Sequence, residues 1–447
     1  MLDRLPLEIA QEVAAKLPID PFLFHAALAV KSNLTVLLLN DPDFARIHLK
    51  QLWRQSDSPT LWDFLDSIHL KDPLWSRLPF SYQLGIYSQI IQELDWIHAE
   101  TVESPEENLM WFKRWPMSDE FAKRIAVHLT TMDSITFDIG SQKNRLFRWM
   151  SRSGHLEAVR ILAADTRVCV SDDGNYAIQC AAEQGFVDVV EFLLADPRVD
   201  PTDNENMAVR YACQSGHLRV VQLLLEDGRA DPAAESNNCV NVAAEGGHVE
   251  VVELLLKHPR VDPNNDDAYS IGKAAENGHI EVLRLLLKDG RADPCADDNY
   301  SLQHAVQNNH IEIVELLLQD PRIDPSVEDN FAISAASGSG HLEMVQLLLK
   351  DKRADPSDEE NFAFNAACSE GHCDVVRLLL KDERVDPSAN SQRALHCAVA
   401  MGHLAVVQVL MEDGRIRDTD RTAYEAALMS GNLHIAVYLR QFQKDRE

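Results

Sequence analysis

One spacing governs most of this 447-residue chain. Gly-His recurs as Gly154-His155, Gly216-His217, Gly247-His248, Gly278-His279, Gly340-His341, Gly371-His372 and Gly402-His403. Gly185-Phe186 and Asn309-His310 stand in the same register, each step is 31 residues, and Gly431-Asn432 closes the series after 29. A register held through so many steps describes a stack of like units, each touching its neighbours, rather than independent globular domains.

Each unit resolves into the same parts. In AYSIGKAAENGHIEVLRLLLKDGRADPCADDN (268–299), the Ala-rich stretch Ser270–Glu276 is a good helix former. Asn277-Gly278 ends it, glycine suiting the left-handed position after a helix. Ile280, Val282, Leu283, Leu285, Leu286 and Leu287 then give a second helix a broad apolar face. Gly290 and Pro294 punctuate a loop, and Asp298-Asn299 are expected to N-cap the next first helix. Asn175, Asn206, Asn237, Asn299, Asn330 and Asn361 occupy that position in successive units, with Ala268 and Gln392 as exceptions. A lone helix pair cannot bury its apolar face, so the expected fold class is all-α, an α-solenoid.

The units resemble ankyrin repeats, as GHLRVVQLLLEDGRAD (216–231), GHVEVVELLLKHPRVD (247–262) and GHLEMVQLLLKDKRAD (340–355) illustrate. The likeness covers about 144–440, with first helices starting near 144, 175, 206, 237, 268, 299, 330, 361, 392 and 421, ten units in all. Two features depart from the family pattern. The period is 31 rather than the family's 33, the shortening falling in the finger between Leu287 and Asn299; and Tyr300-Ser301-Leu302-Gln303 stands where the family has Thr-Pro-Leu-His. The resemblance implies a protein-binding role, with variable residues before each Gly-His and at the fingers lining a concave face. Those residues are Glu183, Gln184, Gln214, Ser215, Glu276, Asn277, Gln307, Asn308, Ser369 and Glu370, with Tyr300, Phe331 and Phe362 beside the fingers. Plain solvated polarity is the other reading of the same positions.

Composition divides near residue 150. All seven tryptophans lie before it and all eight cysteines after it. Residues 1–150 carry 15 Lys+Arg against 20 Asp+Glu, so all but 5 units of the net −29 belong to the repeats. Such acidity argues against nucleic acid or an anionic membrane as partner and favours a basic protein segment. No run of about 18 apolar residues marks a membrane span, and MLDRLPLEIA has no signal-peptide pattern, so a cytoplasmic chain is expected, with the nucleus as the alternative.

Metal and catalytic readings find little support. Histidines one period apart sit about 8–10 Å apart, too far to share a zinc ion, and are expected to bond neighbouring loops instead. The Arg-x-Asp-Pro steps, such as Arg229/Asp231/Pro232 and Arg322/Asp324/Pro325, do not match a calcium loop and are expected to pair Arg with Asp within and between loops. Cys180, Cys213, Cys368 and Cys397 read as buried thiols, none in C-x-x-C. No phosphate-binding, nucleophile-elbow or zinc-protease motif is present, so no cofactor and no enzyme activity are expected.

At the N-terminus, Ile9, Val13 and Leu17 form an apolar stripe ended by Leu17-Pro18; a second apolar helix follows Pro21 and a third stops at Asp41-Pro42. This segment resembles an F-box: Leu5-Pro6-Leu7-Glu8-Ile9 matches L-P-x-E-I, Leu17-Pro18 the second L-P, and Asp41-Pro42-Asp43-Phe44 the D-P-x-F tail. The aromatic that often follows the family's central Lys is absent near Asn33-Leu34. The resemblance implies that Leu5, Pro6, Glu8, Ile9, Leu17, Pro18 and Leu23 dock on the adaptor of a cullin–RING ubiquitin ligase. The expected organisation is a head (1–50), a Trp-rich helical connector (51–117), a degenerate cap repeat (118–143), the repeats (144–440) and a polar tail (441–447). Its expected role is a substrate receptor; the alternative is a plain repeat scaffold whose first helices only cap the stack.

Overall fold

The computed structural model describes residues 118–131, 140–416 and 421–444, together with Ala45. The head, the connector and Leu5, Pro6, Glu8, Ile9, Leu17, Pro18 and Leu23 lie outside them. Every regular element among the described residues is helical. The chain divides into two compact units, Met1–Ala177 and Ile178–Glu447.

The first unit contains α1 (Asp119–Thr131), α2 (Ser141–Arg152), α3 (Leu156–Ala163) and the start of α4 (Asp172–Gln184). Ala122, Ile125, Ala126 and Leu129 give α1 a buried stripe, and it packs on α3. His155 Nδ1 meets Asp119 Oδ1 at 2.7 Å, and Arg167 donates to the Thr130 carbonyl at 3.1 Å.

In the second unit short outer helices alternate with Ala-rich inner ones. The outer helices are α5 (Val187–Leu194), α7 (Leu218–Asp227), α9 (Val249–Leu256), α11 (Ile280–Asp289), α13 (Ile311–Leu317), α15 (Leu342–Lys350), α17 (Cys373–Leu379), α19 (Leu404–Asp413) and α21 (Leu433–Lys444). Between them run α6 (Asp203–Gln214), α8 (Ala234–Glu245), α10 (Asn265–Glu276), α12 (Ala296–Gln307), α14 (Val327–Gly338), α16 (Asp358–Glu370), α18 (Ala389–Met401) and α20 (Thr422–Met429). Helix α21 runs past residue 440, where the repeats were expected to end.

Each inner helix packs on the next inner helix and each outer on the next outer. Small residues (Ala212, Ala243, Ala274, Ala305) are fully buried between inner helices. The outer helices bury Leu224, Leu255, Leu286, Leu317 and Leu348 completely. Each such leucine contributes roughly 1.5–3 kcal/mol by leaving water, which no isolated pair could gain on both faces.

Helix ends follow the glycine register. Gly247 has φ +73°, and the N–H of His248 reaches back to the Ala243 carbonyl at 2.9 Å, closing the inner helix with the left-handed turn that a β-carbon opposes. The other end differs from expectation. Asn206, Asn237, Asn299, Asn330 and Asn361 are not the N-cap residues: Thr202, Ala233, Cys295, Ser326 and Ser357 stand there, without a side-chain cap bond, and the asparagines lie four residues further on. Each is the last of three consecutive left-handed residues, as in Glu235-Ser236-Asn237 with φ of 50°, 55° and 60°. Asparagine visits this region more readily than most residues, which costs about 1–2 kcal/mol per L-residue.

Asn237, Asn299, Asn330 and Asn361 are buried and Asn206 half-buried, and their side chains point to the next loop. Asn206 Oδ1 accepts from the Asp231 N–H at 2.7 Å, Asn237 from Asp262 at 2.8 Å and Asn330 from Asp355 at 2.6 Å. This left-handed turn occupies the place of a finger and is what the shortened period builds. Where Ala268 replaces asparagine, Asn264 Oδ1 takes over and accepts from the Asp293 N–H at 2.7 Å.

The Arg-x-Asp-Pro step pairs Arg with Asp within and between loops, as expected, Arg260 lying 3.1 Å from Asp231 of the preceding repeat. Within a loop, however, the partner is not the aspartate of the step itself. The arginine binds the aspartate two residues before it: Arg353 Nε lies 2.9 Å from Asp351 Oδ1, and Arg291 Nε 2.7 Å from Asp289 Oδ1. The far end of the guanidinium reaches the preceding loop, Arg291 donating to the Val261 carbonyl at 2.7 Å and the Leu256 carbonyl at 2.8 Å. The aspartate after the arginine instead caps its own turn, Asp355 Oδ1 accepting from the Ser357 N–H at 2.9 Å and its hydroxyl at 2.7 Å. Cys180, Cys213, Cys239 and Cys368 are buried, Cys397 only half so.

Candidate protein-binding surface

The histidines of the register are structural fittings. Nε2–H of His217, His248, His279, His310 and His372 donates to the carbonyls of Glu183, Gln214, Glu245, Glu276 and Gly338, each at 2.9 Å. Each ring lies over the preceding repeat's glycine; a β-carbon on Gly216 would stand 2.4 Å from His248 Nδ1. Asn432 substitutes for histidine at the end, donating to Val399 and Ala400 carbonyls at 2.8 and 3.0 Å.

The residues expected before each Gly-His fall at the C-terminal ends of the inner helices. Gln214, Asn277, Gln307, Asn308 and Glu370 are exposed; Glu183, Gln184, Ser215, Glu276 and Ser369 are half-buried. Several are pinned rather than free to read a partner. Asn277 Nδ2 donates to the Glu245 carbonyl at 3.1 Å and Asn308 Nδ2 to that of Glu276 at 3.0 Å. The backbones of Glu183, Gln214 and Glu276 receive the histidines.

The aromatics form a row of their own. Tyr269, Tyr300, Phe331 and Phe362 are one period apart on α10, α12, α14 and α16, each just past the left-handed turn. Tyr269 is 37% exposed and Phe362 50%, large values for aromatic side chains in an ordered helix. Tyr300 and Phe331 are half-buried.

Between Tyr269 and Tyr300 lies a cleft of about 300 Å³ with Gly272 in its wall and Asp293 and Asp297 at its rim. Gly272 makes it possible, since a β-carbon there would come within 2.8 Å of the Tyr300 ring. Lys273 Nζ sits 5.4 Å from the Tyr269 ring centroid and 5.7 Å from that of Tyr300, within cation–π range. It also binds Glu276 Oε2 at 2.6 Å and Tyr300 Oη at 3.2 Å, while the Tyr300 hydroxyl donates to Glu276 Oε2 at 2.7 Å.

The hydrogen bond that Lys273 donates to Glu276 holds the lysine above its usual range against the opposing effect of burial. Its partner Glu276 is held low by the bonds from Lys273 and Tyr300, and burial pushes the Tyr300 phenol up. Lys273 is therefore a fixed cation, not a nucleophile. Sequence reasoning missed Gly272, Lys273, Tyr269 and His304, whose ring centroid is 3.9 Å from that of Tyr300. The signal was the departure of this unit from the others: Ala268 for asparagine and a glycine inside its helix.

Among the described residues no group of His, Cys, Asp and Glu is arranged to hold a metal ion, and no helix is long and apolar enough to cross a membrane. No curated protein matches the chain. A family model described as Ankyrin repeats (3 copies) matches 146–236, 196–267, 240–329, 302–391 and 332–422. These overlapping matches cover more than half of the chain. With the stacked helix pairs, the glycine-ended inner helices and the histidine ladder, they establish that the chain belongs to the ankyrin-repeat family.

Proposed function

We propose that this protein is a non-enzymatic interaction scaffold whose row of inner-helix aromatics grips a protein partner, and whose N-terminal head presents that partner to a ligase adaptor. Ankyrin repeats themselves support protein binding as the general role. The exposed row Tyr269, Tyr300, Phe331 and Phe362 carries the assignment of the surface: partially exposed aromatics on a rigid frame are what interfaces use as anchors. Glu276, Asn277, Gln307 and Asn308 border the row, and Glu183, Gln184, Gln214, Ser215, Ser369 and Glu370 extend it as polar surroundings. Its acid-rich setting favours a basic partner.

The ligase role rests on the F-box-like residues Leu5, Pro6, Glu8, Ile9, Leu17, Pro18 and Leu23. A second observation supports a task for the head other than capping. Helix α1 already packs on α3, so cover for that helix does not require residues 1–50. The test is affinity capture with the intact chain, with Leu5→Ala/Pro6→Ala, and with residues 1–50 removed. Recovery of the adaptor by the intact chain alone, with melting temperature unchanged, is the expected result. A fall in melting temperature of the truncated chain, with no adaptor recovered by any form, returns the head to a mere cap.

A further inference from the structure

The first unit contains a worked instance of what the aromatic row can bind. Tyr176 occupies the position equivalent to Tyr300, Phe331 and Phe362, one residue after the left-handed turn. Over its ring lies the guanidinium of Arg148, 5.2 Å from the centroid, and the same guanidinium meets Asp173 Oδ2 at 2.5 Å. Aromatic, carboxylate three residues earlier and an arginine across both make a complete cation slot. That arginine comes from the preceding inner helix.

The slot recurs, but its arginine does not. Carboxylates stand three residues before Tyr300, Phe331 and Phe362, as Asp297, Glu328 and Glu359. All three are exposed. The positions matching Arg148 in the preceding helices are Gly272, Gln303 and Ser334. At Tyr300 the place is taken by Lys273, the neighbour of Gly272, which lies over the ring and is neutralised by Glu276. At Phe331 and Phe362 the preceding helix supplies no cation, and among the described residues neither Glu328 nor Glu359 forms an ion pair.

We infer that Glu328–Phe331 and Glu359–Phe362 are paired slots for two arginine side chains of one extended partner segment. This deepens the assignment of the aromatic row and rests on it. Charge complementarity selects the occupant: an apolar peptide would cover the rings but leave both carboxylates desolvated without a partner, whereas arginine satisfies ring and carboxylate at once. Spacing selects the register. Adjacent helices pack about 8–10 Å apart, and an extended chain advances about 3.3 Å per residue. The two arginines are therefore three positions apart, Arg-x-x-Arg, with Lys273 marking the slot that needs no third.

The experiment uses the full chain and two labelled peptides of identical composition, Ser-Gly-Arg-Ser-Gly-Arg-Ser-Gly and Ser-Gly-Arg-Arg-Ser-Gly-Ser-Gly, titrated by fluorescence anisotropy at low ionic strength. The spaced peptide is expected to bind at least fivefold more tightly. Gln303→Arg, which places an arginine where Arg148 stands in the first unit, is expected to fill the Phe331 slot and weaken the spaced peptide at least threefold, with thermal melting showing the fold intact. Phe331→Ala/Phe362→Ala is expected to abolish the preference. Equal affinity for both peptides, lowered equally by the phenylalanine pair, overturns the register while leaving the aromatic row as a binding face. No binding, or binding indifferent to the phenylalanine pair, overturns the slots and the row together.

Discussion

At the scale of single residues, the repeat is held by side chains that bond backbone in the neighbouring unit. Asn237 shows the type: buried, left-handed, with Oδ1 on the Asp262 N–H. Asn237→Ala strands that N–H and loses the residue best suited to positive φ, so a loss of about 1–3 kcal/mol is expected in urea unfolding. Glycines divide by what a β-carbon would meet. At Gly290, φ is +78° and an added β-carbon would meet nothing within 4 Å. At Gly247, φ is +73° and an added β-carbon would stand 2.6 Å from the His279 ring. Gly290→Ala is expected to cost about 1 kcal/mol through φ alone. Gly247→Ala is expected to cost at least about twice that, because the ring must leave the Glu245 carbonyl as well; paired thermal melts measure the difference. The glycine register was legible because a left-handed helix end is a local demand. The role of the asparagines was misread because the group they bond lies 25 residues away and enters reach only when repeats stack.

At the scale of elements, most loops are tied by an Asp-x-Arg unit; at Arg260 the residue two before is His258, and the arginine reaches Asp231 of the preceding repeat instead. Arginines two residues on hold Asp227, Asp289, Asp320, Asp351, Asp382 and Asp413 below the usual carboxylate range, with burial opposing. A carboxylate whose folded pKa is depressed adds stability that is present above its unfolded value, about 3.9, and lost as pH falls through the folded pKa. The melting temperature is therefore expected to drop as pH is lowered below about 4, and substituting Asp351 by Asn should make Arg353 indifferent to that change. An unchanged melting temperature at pH 3 would remove the ladder as a stabilising device. The helices themselves were readable from apolar spacing. Ser270–Glu276 became Asn265–Glu276 because the turn holding Ala268, at φ 55°, runs on into the inner helix, a geometry no periodicity encodes.

At the scale of the whole molecule, the second unit is a stack in which each helix pair meets only its neighbours, so stability is a sum of local and interface terms. Leu317→Ala, emptying a fully buried position in its interior, is expected to cost about 2–5 kcal/mol and to divide urea unfolding of this unit into two phases, followed by circular dichroism. The acidity is spread the same way, a small surplus repeated along the stack. Binding of a basic partner there is expected to weaken as salt rises, because exposed charge pairs are screened over about 8–10 Å.

The repeat, its helical class, its glycine-ended helices and its acidity are written in the sequence, since each arises from residue type at fixed spacing along the chain. Tertiary structure alone decided that asparagines bridge loops, that most of the loop arginines pair with the aspartate two residues before them, and that Tyr269, Lys273 and Tyr300 converge while Phe331 and Phe362 keep their carboxylates without a cation. Those outcomes depend on which side chain the preceding repeat places over a given ring. Stacking sets that relation, and it is invisible to any pattern read one unit at a time.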